Sequence, residues 1–303
     1  MPNEVCSNIS NKYTNTVLKT VTNVYQLQYK DFKPPGLGDY LRGCFCMTQL
    51  INILNKYTNA GVNFDMDLTN HPMAQFIDCG VRDSVDYKNI GNFHIDVLVV
   101  KDDENDIAFQ HILRETINYF NKIRVDNFYT FCCKFAVFNT ILEKDKQLIR
   151  SKFRPNKLME SYIDSFMNEF GLLAGGYKAI HIRCRDELSF PSTKLSADLL
   201  AKIDGLLDKH TKLDEKYLLV SNHNGVKAHI LSSRKNFIGK CLEICHIGQD
   251  SQQTNNQVRD TLLDYFLLSR SNDIIAFSPY GLSGFSLECS KLYDIPYKFI
   301  RYY

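Results

Sequence analysis

From residue 177 to the end of the chain, short apolar segments alternate with helical ones, and that alternation limits the fold more than any other feature. Residues 177–183, 217–221, 242–247, 273–277 and 297–300 read as strands. Between them, 196–210, 225–233, 258–268 and 283–293 read as helices; in 258–268 the residues Val258, Leu262, Leu263, Phe266 and Leu267 share one face. Strands separated by helices of this length predict a parallel sheet with both faces covered. Such sheets bind ligands at the carboxyl ends of their strands, beside the point where the strand order reverses.

The first half follows the same logic less cleanly. Residues 23–30 (NVYQLQYK) read as a strand, 33–38 as a glycine- and proline-rich turn, and 39–57 as an apolar helix with Asp39 at its N-cap. A buried-type strand is expected over 94–100, a helix over 108–121 and a β-rich run over 127–138. In 156–170, Leu158, Tyr162, Ile163, Phe166 and Phe170 recur at helical spacing, and Gly171 closes the helix. Gly175-Gly176 then reads as a hinge, so the expected domains are 1–172 and 173–303. A chain of 303 residues suits two α/β domains of roughly equal size.

Composition removes several classes of function. The 36 basic and 34 acidic residues are interspersed, with no basic stripe of the kind a nucleic-acid binder carries. No run approaches the ~18 uninterrupted apolar residues of a membrane span. The polar start, MPNEVCSNISNKYTNT, lacks the apolar core of a secretory signal, so the expected location is the cytoplasm, including that of a host. Ten cysteines are then expected to stay reduced and to serve as small apolar residues. Cys44/Cys46, Cys132/Cys133 and Cys241/Cys245 lack the paired spacing of a zinc site, and His71, His94, His111, His210, His223, His229 and His246 are scattered. No metal and no resident cofactor are expected.

Four places could carry chemistry. His181-Ile182-Arg183-Cys184-Arg185-Asp186 follows a strand, and arginine offers a planar fork of donors for diphosphate oxygens; an interdomain salt bridge is the competing reading. Gly36-Leu37-Gly38-Asp39 precedes a helix whose N-terminus favours anions, or merely closes a strand-to-helix turn. Ser221-Asn222-His223-Asn224 ends another strand and either reads a base or ribose or caps a helix through Asn222 or Asn224. The run from Asp264 to Ser286 joins a helix, a strand and a hydroxyl-rich loop, with Ser283 placed to cap the last helix while backbone amides face a phosphate.

In this order the four places resemble the α1,2/α1,6/protein-O-fucosyltransferase superfamily. The residues that carry the resemblance are H-x-R-x-x-D at His181–Asp186, a strand ending in S-[DN], D-x-x-x-L-S at Asp264–Ser269, the S-x-F-S loop from Ser283, and the G-x-G-[ND]-x-L turn from Gly36. They span about residues 36–290, while the middle of the first domain matches no motif. The resemblance implies a GT-B fold, two facing Rossmann-like domains with a cleft between them. It implies an inverting, metal-independent transferase that moves L-fucose from GDP-fucose to a glycan hydroxyl, the second domain binding the donor and the first the acceptor.

Carried onto these residues, the resemblance makes Arg183 the stabiliser of the departing diphosphate and His181 part of its seat. Asp186 becomes the motif's closing carboxylate, and Asp264, Ser283, Gly36 and Gly38 become donor-binding positions. Asn222 stands where relatives often carry an aspartate near guanine, and an amide offers one carbonyl acceptor where a carboxylate offers two oxygens. Glu187 is the freer of the two neighbouring carboxylates and the candidate general base. A transferase of this fold with another nucleotide sugar, and a catalytically silent nucleotide- or sugar-binding protein, are the alternatives. Acceptor, linkage and oligomeric state are not encoded legibly.

Overall fold

The computed structural model describes residues 17–25, 36–79, 91–92, 103, 106–133, 137–138, 140–184, 195–247 and 253–302. The chain divides into two compact units, Met1–Ala74 with Asp78–Arg154, and Gln75–Ile77 with Pro155–Tyr303.

The first unit is built on β1 (Thr20–Val24), α1 (Leu37–Thr58), β2 (Asn63–Asp67), β3 (Gly91–Asn92), α2 (Ile107–Phe120), β4 (Asn127–Phe131) and α3 (Glu143–Lys152). Its four strands are parallel, in the order β2-β1-β4-β3. β1 lies in the middle because Thr20, Val21 and Thr22 suit a pleated surface and Val21 and Val24 are wholly covered. α1 is buried along most of its length, through Leu37, Tyr40, Leu41, Cys44, Phe45, Met47, Leu50 and Leu54. Glycine at 43 permits its close approach to the sheet: a Cβ there would lie 1.6 Å from the carbonyl oxygen of Cys132. Asn23 ties the same junction, donating from Nδ2 to the Cys132 carbonyl at 3.1 Å and accepting from the Cys132 N–H at 2.8 Å.

Several expectations shift here. The first strand lies at 20–24, not 23–30; residues 26–30 are outside the described set, as is the expected strand 94–100. α1 starts at Leu37 with Gly36 at the N-cap position, so Asp39 falls in the first turn, where its carboxylate pairs with Arg42 at 2.9 Å. The β-rich run contracts to 127–131. β2 and α3 have no counterpart in the sequence reading. β2 (NFDMD) mixes two aspartates with two apolar residues, and α3 buries only Asp145 and Ile149, so neither carries a strong apolar period.

The second unit holds α4 (Lys157–Phe170), β5 (Lys178–Ile182), α5 (Ala197–His210), β6 (Tyr217–Ser221), α6 (Asn224–Ser233), β7 (Phe237–Ile238), α7 (Asn255–Leu268), β8 (Asp273–Ser278), α8 (Gly284–Tyr293) and β9 (Tyr297–Arg301). All five strands are parallel in the order β7-β6-β5-β8-β9, the Rossmann-type arrangement in which direction reverses between β5 and β8. Helix ends follow local chemistry. Asn156 accepts from the Met159 amide at 3.0 Å, and Thr254 and Gln257 form a reciprocal capping box. Gly171, at φ 59°, closes α4 in the left-handed conformation that favours glycine.

α4 belongs to this second unit, so the chain divides at Arg154–Pro155 and not between residues 172 and 173. Gly175-Gly176 is no hinge between units: the Gly175 N–H donates to the Arg270 carbonyl at 2.8 Å, and Asn272 Nδ2 donates back to the Gly175 carbonyl at 3.0 Å. The strand expected at 242–247 is absent. The strand that pairs with β6 is the two-residue β7, and the Glu243 and Cys245 amides donate to Asp260 Oδ2 (2.9 Å) and Thr261 Oγ1 (3.0 Å) of α7. Side chains take the place of a strand ladder there. Among the described residues, no helix is long and apolar enough to cross a membrane.

Candidate functional site

β5 decides which way its residues point. Ile180 and Ile182 join Ile203 and Leu207 of α5 in one apolar core. His181, one residue out of phase, turns to the other face of the sheet, where its ring meets Phe285 of α8 at 5.9 Å between centroids. His181 Nδ1 lies 2.7 Å from Ser286 Oγ, and Ser286 Oγ lies 3.2 Å from the Tyr297 hydroxyl on β9. Burial drives the His181 pKa down to about 3, aided by the charges of Arg183 and Lys227, so the imidazole is neutral.

Arg183 is the first residue past β5, beside the reversal of strand order. Its N–H donates to the Phe277 carbonyl at 2.8 Å, which continues the β5–β8 ladder. Its own carbonyl accepts from the Tyr302 hydroxyl at 2.8 Å. The backbone that carries the guanidinium is therefore held from both sides.

Asn222 follows β6, and its side chain engages the next residue of the β5 loop. Oδ1 accepts from the Cys184 N–H at 2.7 Å and Nδ2 donates to the Cys184 carbonyl at 3.3 Å. The amide thus imitates one more rung of the β5–β6 ladder, which a carboxylate could not do because it has no donor. The helix cap at this strand end is His223, not Asn222 or Asn224: His223 Nδ1 accepts from the Gly225 N–H at 3.0 Å.

Past β8 the chain runs through exposed Tyr280 and Leu282 to Ser283, the N-cap residue of α8. Contrary to the sequence reading, the Ser283 side chain makes no capping hydrogen bond. Among the described residues, the amides of Gly284, Phe285 and Ser286 also have no acceptor. The first-turn N–H groups and the Ser283 hydroxyl are thus open to an acceptor at the positive end of the helix, where negative charge is favoured.

Asp264 lies on α7 and is nearly wholly buried. Its Oδ2 is 2.9 Å from Nζ of Lys227, whose side chain is 0% exposed. Burial raises the Asp264 pKa and the lysine opposes that rise. Gly36 and Gly38 sit at the start of α1 in the first unit; Gly36 is the N-cap residue and Gly38 already lies inside the helix. Asp186 and Glu187 are outside the described residues. Among those described, no group of three or more His, Cys, Asp or Glu side chains is arranged to hold a metal.

The second unit therefore brings His181, Arg183, Asn222 and Ser283 to the carboxyl ends of three neighbouring strands, with Asp264 buried in α7. Sequence reasoning missed Ser286, Tyr297 and Lys227. Ser286 closes the S-x-F-S run and carried a usable signal. Lys227 and Tyr297 lie 37 and 11 residues from their partners and carried none.

No protein-family model matches the sequence, and no curated protein matches it. Solved structures do. The NodZ alpha-1,6-fucosyltransferase co-crystallized with GDP is 14% identical, superposes with a TM-score of 0.53, and is matched over 94% of this chain and 95% of its own. The fucosyltransferase NodZ from Bradyrhizobium gives 14% identity and a TM-score of 0.51, over 91% and 93% of the two chains. Over nearly its whole length the chain carries the GT-B fold that these fucosyltransferase structures share.

Proposed function

We propose that the chain is an inverting, metal-independent fucosyltransferase that moves L-fucose from GDP-fucose to a glycan hydroxyl. The observation that carries this reading is the open first turn of α8 at Ser283–Ser286, joined to His181 by the 2.7 Å contact of Ser286, with Arg183 at the reversal of strand order. Transfer from a nucleoside diphosphate builds negative charge on the leaving group as its bond to the anomeric carbon breaks. Arg183 and the first amides of α8 supply fixed positive potential for that charge, and neutral His181 adds a donor. The fold shared with fucosyltransferases, one of them crystallized with GDP, supports the choice of donor.

In this reading Ser283 presents its uncapped hydroxyl to the diphosphate, and Asn222 shapes the Arg183–Cys184 turn from behind. Asp264 acts indirectly, fixing Lys227 and through it the potential around His181. Asp186 and Glu187 are the nearest carboxylates to Arg183 in sequence, and Glu187 is assigned as general base to the acceptor hydroxyl. The first unit is assigned to the acceptor side, and Gly36 and Gly38 keep their assignment as donor-binding positions. A second reading, the same chemistry with another nucleotide sugar, draws on Asn222, whose amide is already engaged by Cys184 and not kept for guanine.

Thermal stabilisation by GDP, GDP-fucose, GDP-mannose, UDP, UDP-sugars and ADP, with and without chelator, tests the reading. A ligand at 100 times its Kd adds about 2.7 kcal/mol to stability. A chelator-insensitive shift with GDP and GDP-fucose is expected. Shifts with uridine compounds alone would select the second reading, and no shift at all would leave a silent protein of the same fold.

A further inference from the structure

We propose that Ser286 and Tyr297 are positioning residues that hold His181 in its Nε2–H tautomer, making that N–H a fixed donor to the diphosphate of the nucleotide sugar. The ligand named here rests on the functional reading above; the tautomer does not.

The proposal stands on two contacts, Ser286 Oγ to His181 Nδ1 at 2.7 Å and Ser286 Oγ to the Tyr297 hydroxyl at 3.2 Å. A serine hydroxyl has one proton to give and two lone pairs, so the proton order along this chain has three forms. In one, His181 Nδ1–H donates to Ser286 and Ser286 donates to Tyr297. In a second, Tyr297 donates to Ser286, Ser286 donates to Nδ1, and the imidazole proton sits on Nε2. A third, with Ser286 accepting from both, leaves the serine proton without an acceptor among the described residues. The second form matches each group to its strength. A phenol, with its pKa near 10, is the better donor of the two hydroxyls. The unprotonated imidazole nitrogen is the best acceptor of the three groups. Aligned this way, the two bonds polarise one another in the same sense.

The surroundings favour the neutral ring in either case. Ser286 is the third residue of α8, so Nδ1 lies against the positive end of a helix. The Arg183 and Lys227 charges oppose a second ring proton. The residue itself is only 4% exposed. Among the described residues Nε2 makes no hydrogen bond, and it belongs to a ring pinned beside the amides of Gly284–Ser286. A neutral donor at that place binds an anion without surrendering its proton, and it does so throughout the neutral pH range.

The test uses the full chain labelled with ¹⁵N-histidine, with His181 assigned by the signal lost in His181→Gln. Long-range proton–nitrogen correlation distinguishes the two ring nitrogens. Wild type is expected to show an unprotonated Nδ1 and a protonated Nε2; a protonated Nδ1 overturns the proposal. Ser286→Ala is expected to mix the two tautomers and to raise the Kd for GDP about tenfold, while far-ultraviolet dichroism stays unchanged. Should that variant fail to fold, Tyr297→Phe keeps the serine and removes only the head donor, and it is expected to raise the Kd two- to threefold with partial mixing. Unchanged tautomer and Kd in the folded variants overturn the proposal. A wild-type ring in the assigned tautomer with no nucleotide bound at all would defeat the functional reading and the ligand named for Nε2, and leave the control of the tautomer standing.

Discussion

Lys227 Nζ and Asp264 Oδ2 meet at 2.9 Å with both side chains shut away from water, one on α6 and the other on α7. Neither ion could remain charged there alone, because removing one partner of a buried pair strands the other, at a cost of about 3–5 kcal/mol. Lys227→Met should therefore lower the melting temperature of the protein by roughly 10 °C, at ~2–4 °C per kcal/mol for a unit of this size. The double variant Lys227→Met with Asp264→Leu should recover most of that loss. A double variant as unstable as the single one would show that the pair is not what holds α6 to α7.

Arg183 carries the heaviest chemical assignment. Arg183→Ala should reduce kcat by about 10²–10³ on the donor identified by the stabilisation panel. Arg183→Lys should recover little of it, since an ammonium cannot offer the planar fork. Steady-state kinetics decide this, and retention of more than half of wild-type turnover in the alanine variant would remove Arg183 from the mechanism.

Asn222 separates two roles through one substitution. Asn222→Asp deletes the donor to Cys184 and sets a carboxylate against its carbonyl, which should cost about 1–3 kcal/mol in chemical denaturation. If the residue supports the Arg183–Cys184 turn, that variant binds every nucleotide more weakly by a similar factor. If it reads the base, GDP gains over UDP instead. Paired titrations with the two nucleotides tell them apart.

At position 43 the space for a side chain is already occupied. A Cβ there overlaps the Cys132 carbonyl, whose neighbour geometry is fixed by Asn23. Gly43→Ala should push α1 off the sheet and cost about 3 kcal/mol or more. A melting temperature within 2 °C of wild type, on a scale of ~2–4 °C per kcal/mol, would mean the helix accommodates the methyl group by sliding.

Two histidines set an acid limit. Burial takes both His71 and His181 down to about 3, against about 6.5 in an unfolded chain. Between those values the unfolded state holds the extra proton, so stability falls as pH drops through that window, by about 1.4 kcal/mol per pH unit for each ring. His71→Gln should flatten the stability curve between pH 6 and 4 by about that slope. Denaturation midpoints at a series of pH values provide the check.

Apart from the two-residue β7, the strands and helices of the second unit were legible because each buried segment there is short, apolar and bounded by a capping residue such as Ser196 or Thr254. β2 was not, because Asp65 and Asp67 interrupt its apolar period and only pairing with β1 makes it a strand. The segment 242–247 misled for the opposite reason: it looks apolar enough for a strand, yet Asp260 and Thr261 claim its amides. Among site residues, His181 and Arg183 were readable as a strand-end motif. The cap at His223 was hidden by the two asparagines beside it. The Lys227–Asp264 pair was hidden by 37 intervening residues, since tertiary partners at that range leave no periodic trace.

β9 ends the second sheet with one side of its backbone unpaired by any strand among those described. Parallel sheets with an open margin are templates for unwanted growth, each new chain adding a rung. Lys298 and Arg301 are the exposed residues of this strand. A second copy approaching in register would bring like charges together before any hydrogen bond could form. Charge on this margin is thus expected to oppose edge-to-edge growth of the sheet between copies at high concentration.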